Sequence, residues 1–163
     1  LVIDISQVKE VVQMKKALAV VTFAAVLLLA VSVGQAFDIE GKLGTSGALT
    51  IAAELDVLTN LTIGASFGVT GLLMGQQTPS YTIGLTAKYW PFTKRSQFAP
   101  YVGVAGCVEV QDLQMRLLLN AVIGARYQIT SRFFGLAEAA LFLPIVDVAA
   151  WYSDLVLGVG YRF

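Results

Sequence analysis

The chain of 163 residues contains no histidine. That excludes imidazole acid–base catalysis, Ser-His triads and His-ligated metals. Its single cysteine, Cys107, excludes an internal disulfide and any Cys-rich metal site. Charge is scarce at 13%, and 11 basic residues balance 11 acidic ones, so there is no basic footprint for nucleic acid. What is abundant is apolar side chain: 56% of residues, with a mean hydropathy of +0.73. That is too apolar for an ordinary soluble domain and excludes disorder. The length suits one domain, and the composition points to a membrane.

The first apolar block reads as an address. Met14-Lys15-Lys16 precedes an almost wholly apolar run from Ala17 to Val33, which ends in Gly34-Gln35-Ala36. A basic start, an apolar centre and a small-x-small end make a secretory signal peptide over 14–36, cleaved after Ala36. A transmembrane helix is the alternative for a run of this length. Residues 1–13 read as an over-extended gene start. The folded part is then 37–163.

Beyond Val33 no apolar run is long enough for a membrane-spanning helix, and the period is two. In Ser80 to Trp90, Tyr81, Ile83, Leu85, Ala87 and Tyr89 share one face, and Thr82, Gly84, Thr86 and Lys88 the other. Asp154 to Phe163 alternates in the same way. Eight strands are expected, at 38–45, 47–57, 61–73, 80–91, 99–110, 115–129, 132–143 and 153–163, with the first the weakest. Turn-rich pieces separate them, and the prolines fall at or near strand ends.

The two faces differ sharply. In strands two to eight the apolar phase carries no charge. The other phase carries Glu54, Asp56, Lys88, Glu109, Arg116, Asn120, Arg126, Glu138, Asp154 and Arg162, interleaved with glycine and alanine. A soluble barrel would turn the apolar phase inward. Three features favour the inverted arrangement. The charged phase is rich in glycine, which suits a narrow lumen. The strands are long enough to cross an outer membrane at a tilt, which takes about 9–11 residues. Aromatics gather at strand ends: Tyr89, Trp90 and Phe92, Phe98 and Tyr101, Tyr127, Phe133 and Phe134, Tyr161 and Phe163. The expected fold is all-β: an eight-stranded antiparallel up-and-down transmembrane β-barrel after a cleavable signal helix. Closure leaves no strand edge unpaired in hydrocarbon. With both termini in the periplasm, the turns after strands two, four and six are periplasmic. A one-residue slip would put the charges into lipid, at about 2–4 kcal/mol for each basic residue near the midplane.

These residues resemble a known family. The final strand ends in Phe163, with Leu157, Val159 and Tyr161 in the same phase. It looks like the C-terminal strand by which the assembly machinery recognises bacterial outer-membrane barrels. The stretch Phe98 to Gly106, with Pro100-Tyr101-Val102-Gly103 at its centre, resembles one common in small barrels of the OmpA/OmpX type. The resemblance implies a Gram-negative outer-membrane location, outer-membrane lipid as surroundings and the barrel-assembly machinery as a partner. No peptidoglycan-binding domain of the OmpA type is expected after the barrel. The long polar surface loops of the family are missing too, which speaks against adhesion or receptor roles.

The inward charges are the one chemical constellation. Glu109 and Arg116 flank a hairpin turn and are expected to pair, and Arg162 is expected near Asp38 or Glu40. They read either as a gated ion path or as a salt-bridged plug in a lumen that eight strands leave narrow; the plug is favoured. Trp90, Tyr101, Phe134 and Phe142 share that phase, and Cys107 reads as a small buried side chain. Lipid-modifying barrel enzymes of known families rely on a histidine with a serine or an acid, so no enzyme and no cofactor are expected. Gly64 to Gly68 has only the spelling of a nucleophile elbow, in a strand and with no histidine. On the lipid-facing phase, Ala121, Ala125, Gly135, Ala137 and Ala139 form a small-residue face suited to self-association or to docking of another envelope protein. The leading reading is an outer-membrane barrel with a structural or interaction role. A small-solute, porin-like pore and a secreted soluble barrel binding an apolar ligand are the alternatives. Conductance and cell fractionation separate them.

Overall fold

The structure is a computed structural model and describes residues 36–71, 79–111, 114–145 and 151–163. The over-extended start expected over 1–13 and, but for Ala36, the signal peptide expected over 14–36 lie outside the described residues. Eight strands follow in order: β1 (Phe37–Gly44), β2 (Leu49–Leu58), β3 (Leu61–Thr70), β4 (Ser80–Tyr89), β5 (Phe98–Gln111), β6 (Gln114–Gln128), β7 (Phe133–Pro144) and β8 (Tyr152–Arg162). Each pairs antiparallel with its neighbours in sequence, and β1 pairs with β8, so the sheet closes into a barrel. Backbone bonds tighten the seam: Phe163 N–H donates to the Phe37 carbonyl at 3.0 Å, and Thr45 N–H to that of Leu155 at 2.8 Å.

Local chemistry sets the turns. Gly47 adopts φ 76°, a left-handed conformation that glycine enters without a Cβ penalty, and so closes the short β1–β2 turn. Thr59 and Asn60 make the β2–β3 turn, after a register shift between Asp56 and Leu58. Thr130 Oγ1 accepts from the N–H groups of Arg132 and Phe133 and shapes the β6–β7 turn. These last two turns, the 90–97 connection, the start of β1 and the end of β8 share one rim, called here the terminal rim. The β1–β2 turn and the other ends of the strands lie on the opposite rim. The strands are uneven, from 8 residues in β1 to 14 and 15 in β5 and β6, which form the longest hairpin.

The alternation is inverted relative to a water-soluble barrel. Leu85, Val104, Leu119, Ile123, Leu155, Leu157 and Val159 are exposed on the outer wall, while Asp38, Glu40, Glu54, Lys88, Arg126 and Glu138 are buried within. Exposed Tyr89, Phe92, Phe98, Tyr127, Phe133 and Phe163 ring the terminal rim. Stacked and edge-on contacts run through Phe37, Phe163, Tyr161 and Phe133, with ring centroids 4.7–4.9 Å apart. The strand-end aromatics divide: Trp90, Tyr101 and Phe134 turn inward and are fully buried.

Candidate functional site

Inward side chains from every strand meet in the half of the lumen nearer the terminal rim. Lys88 of β4 lies at the centre. Its amine contacts Glu54 Oε1 at 2.5 Å, Glu138 Oε1 at 3.0 Å and Glu40 Oε2 at 3.4 Å. Lys42 Nζ bridges Glu40 at 2.8 Å and Glu138 at 2.9 Å. Asp38 gathers the other cations: Arg126 Nη1 at 2.6 Å, and Lys94 Nζ and Arg162 Nε at 2.9 Å each. Asp56 takes Lys94 at 2.6 Å and Arg162 at 3.3 Å. In this layer Asp38, Glu40, Glu54, Asp56 and Glu138 face Lys42, Lys88, Lys94, Arg126 and Arg162, so the formal charges cancel. A buried ion is tolerable only in that paired, hydrogen-bonded state.

Aromatic rings fill the space between the charges. Tyr101 donates to Glu138 Oε1 at 2.6 Å, and Trp90 Nε1–H to Thr62 Oγ1 at 3.0 Å. The Arg126 guanidinium sits 3.4 Å from the centroid of the Phe134 ring. Glycines make this packing possible. A Cβ on Gly124 would fall 2.6 Å from the Tyr101 ring, and one on Gly160 would overlap the ring of Phe134. Glu54 Oε2 and Arg126 Nε are the buried side-chain polar atoms without a hydrogen-bond partner among the described residues.

Toward the opposite rim the lumen widens into a cavity of about 310 Å³. Lys42, Lys88 and Glu138 form its floor. Thr50, Ser66, Thr82, Thr86 and Gly84 line one side, and Leu118, Val122, Ala140, Phe142 and Tyr152 the other. The chemistry available inside the barrel is therefore ion pairing and hydrogen bonding. Among the described residues, no group of 3 or more acidic or sulfur side chains is placed to hold a metal ion.

The expected site residues fall as follows. Glu54, Asp56, Lys88, Arg126, Glu138 and Arg162 belong to the ion-paired layer. Asp154 is buried at the opposite rim, held by Thr45 Oγ1 at 2.7 Å and Ser46 Oγ at 2.8 Å. Arg162 meets Asp38 rather than Glu40. Glu109 and Arg116 are cross-strand partners lining the cavity, but among the described residues no ion pair joins them. The expected pairing is corrected to shared register only. Both lie near the end of the long β5–β6 hairpin, where Arg116 is exposed, and an exposed pair gains little from contact. Cys107 is buried and inward, and Ser66 sits within β3, with no strand-to-helix elbow around it. Leu157, Val159 and Phe163 are exposed on the outer wall. Ala125 faces Ala137 across β6–β7, Ala139 lies opposite Ile123, Gly135 opposite Tyr127 and Ala121 opposite Leu141.

One residue escaped the sequence reading. Lys94, in the 90–97 connection, looks like a solvated turn residue, yet it is 4% exposed with its amine among Asp38 and Asp56. Lys42 and Glu40 sit in the strand with the weakest pattern and hold the layer together. On the outer wall, a depression of about 520 Å³ around Ala53, Ala65, Ala87 and Gly106 forms a second small-residue area.

No protein-family model matches the sequence, and no curated protein matches it. Solved structures do. The N-terminal β-barrel domain of OprF from Pseudomonas aeruginosa superimposes with a TM-score of 0.65 at 18% identity, over 78% of this chain and 96% of that one. Neisserial surface protein A (NspA) gives 0.56 at 19% identity, over 78% and 95%. A major outer membrane protein from Thermus thermophilus gives 0.58 at 15% identity, over 78% and 99%. The chain has the fold of these small barrels. At such identities the likeness extends to the architecture alone, and the lumen must be read from its own side chains.

Proposed function

We propose that this chain is an integral protein of the bacterial outer membrane with a structural or interaction role, whose lumen is plugged. The observation that carries the reading is the inversion: an apolar outer wall with an aromatic rim, closed around a buried, charge-balanced layer. Exposing that wall to water would leave a continuous apolar surface around the whole barrel, far beyond what a soluble monomer shows. In lipid it is matched to its surroundings, and the closed ladder leaves no backbone group unpaired. The fold shared with proteins of the outer membrane supports the same location.

Export through the 14–36 signal and insertion by the barrel-assembly machinery, which would recognise the strand ending in Tyr161 and Phe163, complete the reading. The terminal rim then faces the periplasm. The lumen offers hydrogen bonding and charge without a histidine, and the chain is read as a non-enzyme without a cofactor. The cavity near the opposite rim is the observation that favours the pore alternative, and the layer of ion pairs beneath it favours the plug.

The test is fractionation of cells expressing the full chain. The protein should partition with the outer membrane, resist salt and carbonate extraction, and begin at Phe37 on N-terminal sequencing. Recovery from the soluble periplasm would overturn the membrane reading. A start at Met14 would restore the helical anchor.

A further inference from the structure

The cavity above the ion-paired layer is a built recess with two unlike sides. Thr50, Ser66, Thr82 and Thr86 line it, with Thr50 Oγ1 over Gly68 and Ser66 Oγ over Gly84, and none of the four makes a side-chain hydrogen bond to another described residue. Each hydroxyl can both donate and accept. Facing them, Phe142 and Tyr152 are cross-strand partners whose rings stack in parallel, 4.6 Å between centroids and 4° between planes. Stacking uses one face of each ring and leaves the other without an aromatic partner. The recess reaches the surface, because Tyr152 in its wall is 40% exposed.

The charges around the recess define what it can take. Lys42, Lys88 and Arg116 are balanced by Glu109, Glu138 and Asp154. Lys88 is saturated by carboxylates, and Asp154 by Thr45 and Ser46. Lys42 gives two of its three N–H donors to Glu40 and Glu138, leaving one for the cavity. An anion would meet Glu109 and Glu138, and a cation would meet Lys42 and Arg116. A neutral molecule with several hydroxyls and one apolar face meets neither penalty. The volume of about 310 Å³ lies at the small end of ligand sites, which run from about 300 to 1,000 Å³.

We propose that this recess binds a neutral sugar ring of single-residue size, with its hydroxyl edge on Thr50 and Thr82, its C–H face on the free face of the Phe142 ring that Tyr152 backs, and an oxygen accepting from Lys42. The proposal takes its floor from the plugged-lumen reading, yet the two fail separately. A barrel that conducts and still binds the sugar overturns the plug alone. A silent barrel that binds nothing overturns the site alone.

The test uses the mature protein in phosphatidylcholine nanodiscs, which carry no sugar headgroup, titrated with methyl β-D-glucopyranoside and followed by amide chemical shifts. Shifts at Thr50, Thr82 and Tyr152 should saturate at concentrations on the order of millimolar, as a few neutral hydrogen bonds and one ring contact imply. Phe142→Leu should weaken binding about tenfold, and Thr82→Val about threefold, the latter with the spectrum of the folded barrel intact. Benzoate and choline, tested in parallel, should not saturate these resonances. Shifts that stay linear, shifts scattered outside the recess, binding unchanged by Thr82→Val, or saturation by benzoate or choline would each overturn the proposal.

Discussion

The two halves of the lumen are built from one alternating phase of the same strands, yet they are filled differently. Near the terminal rim the inward positions hold Lys88, Trp90, Tyr101, Arg126 and Phe134, all buried to 2% exposure or less. Toward the opposite rim they hold Thr50, Ser66, Gly68, Thr82, Gly84 and Ala105, and a cavity remains. Strand number and closure are common to both halves, so among the described residues the difference lies in the size of the inward side chains. In the packed half, charge also fixes geometry: acids from β1, β2 and β7 are placed around cations from β1, β4, β6, β8 and the 90–97 connection.

The largest expected effect falls on the packed half. Lys88→Met removes the cation that Glu40, Glu54 and Glu138 share and leaves buried acids uncompensated. It should cost about 3–5 kcal/mol in reversible denaturant unfolding in lipid, and a loss under about 1 kcal/mol would break the contrast. Gly160→Val forces side-chain atoms into the ring of Phe134 and should cost about 1–3 kcal/mol by the same measurement. In the recess, Thr82→Val keeps the side-chain shape and removes a hydroxyl with no partner in the barrel. Its unfolding midpoint should move by no more than about 0.5 kcal/mol, and a cost like that of Gly160→Val would show the two halves to be equally tight.

The smallest effect on stability is expected on the outer wall. Ala137→Trp displaces lipid only and should leave the unfolding midpoint in place. If the face of Ala125, Ala137 and Ala139 is a contact between copies or with another envelope protein, the same variant should abolish cross-linked species in native membranes. Identical cross-linking patterns for the two proteins would remove any role for that face.

Much of this contrast was written in the period-two alternation. A strand with one lipid face must alternate without error, so β4 and β8 are legible, and so is the facing of Glu109 and Arg116 across their hairpin. β1 is less so, because Asp38, Glu40 and Lys42 alternate with Ile39, Gly41 and Leu43 over only 8 residues. The inward turn of Lys94 was not legible. Nothing local to the 90–97 connection requires it; the pull comes from Asp38 and Asp56, distant in the chain and adjacent only once the barrel closes. The recess was hidden for a related reason. Its threonines and glycines share a phase with the residues of the ion-paired layer, and only the closed barrel shows that, among the described residues, no large side chain reaches across to fill the space.

Ion conductance of the mature protein in planar lipid bilayers tests the blocked lumen most directly. Lys88, Lys42 and Lys94 are each held between carboxylates, with the rings of Trp90, Tyr101 and Phe134 packed among them, and the proposed plug requires that this layer leave water no continuous path. The account predicts a silent membrane with no stable current steps. Steady channels of open-pore size would contradict it.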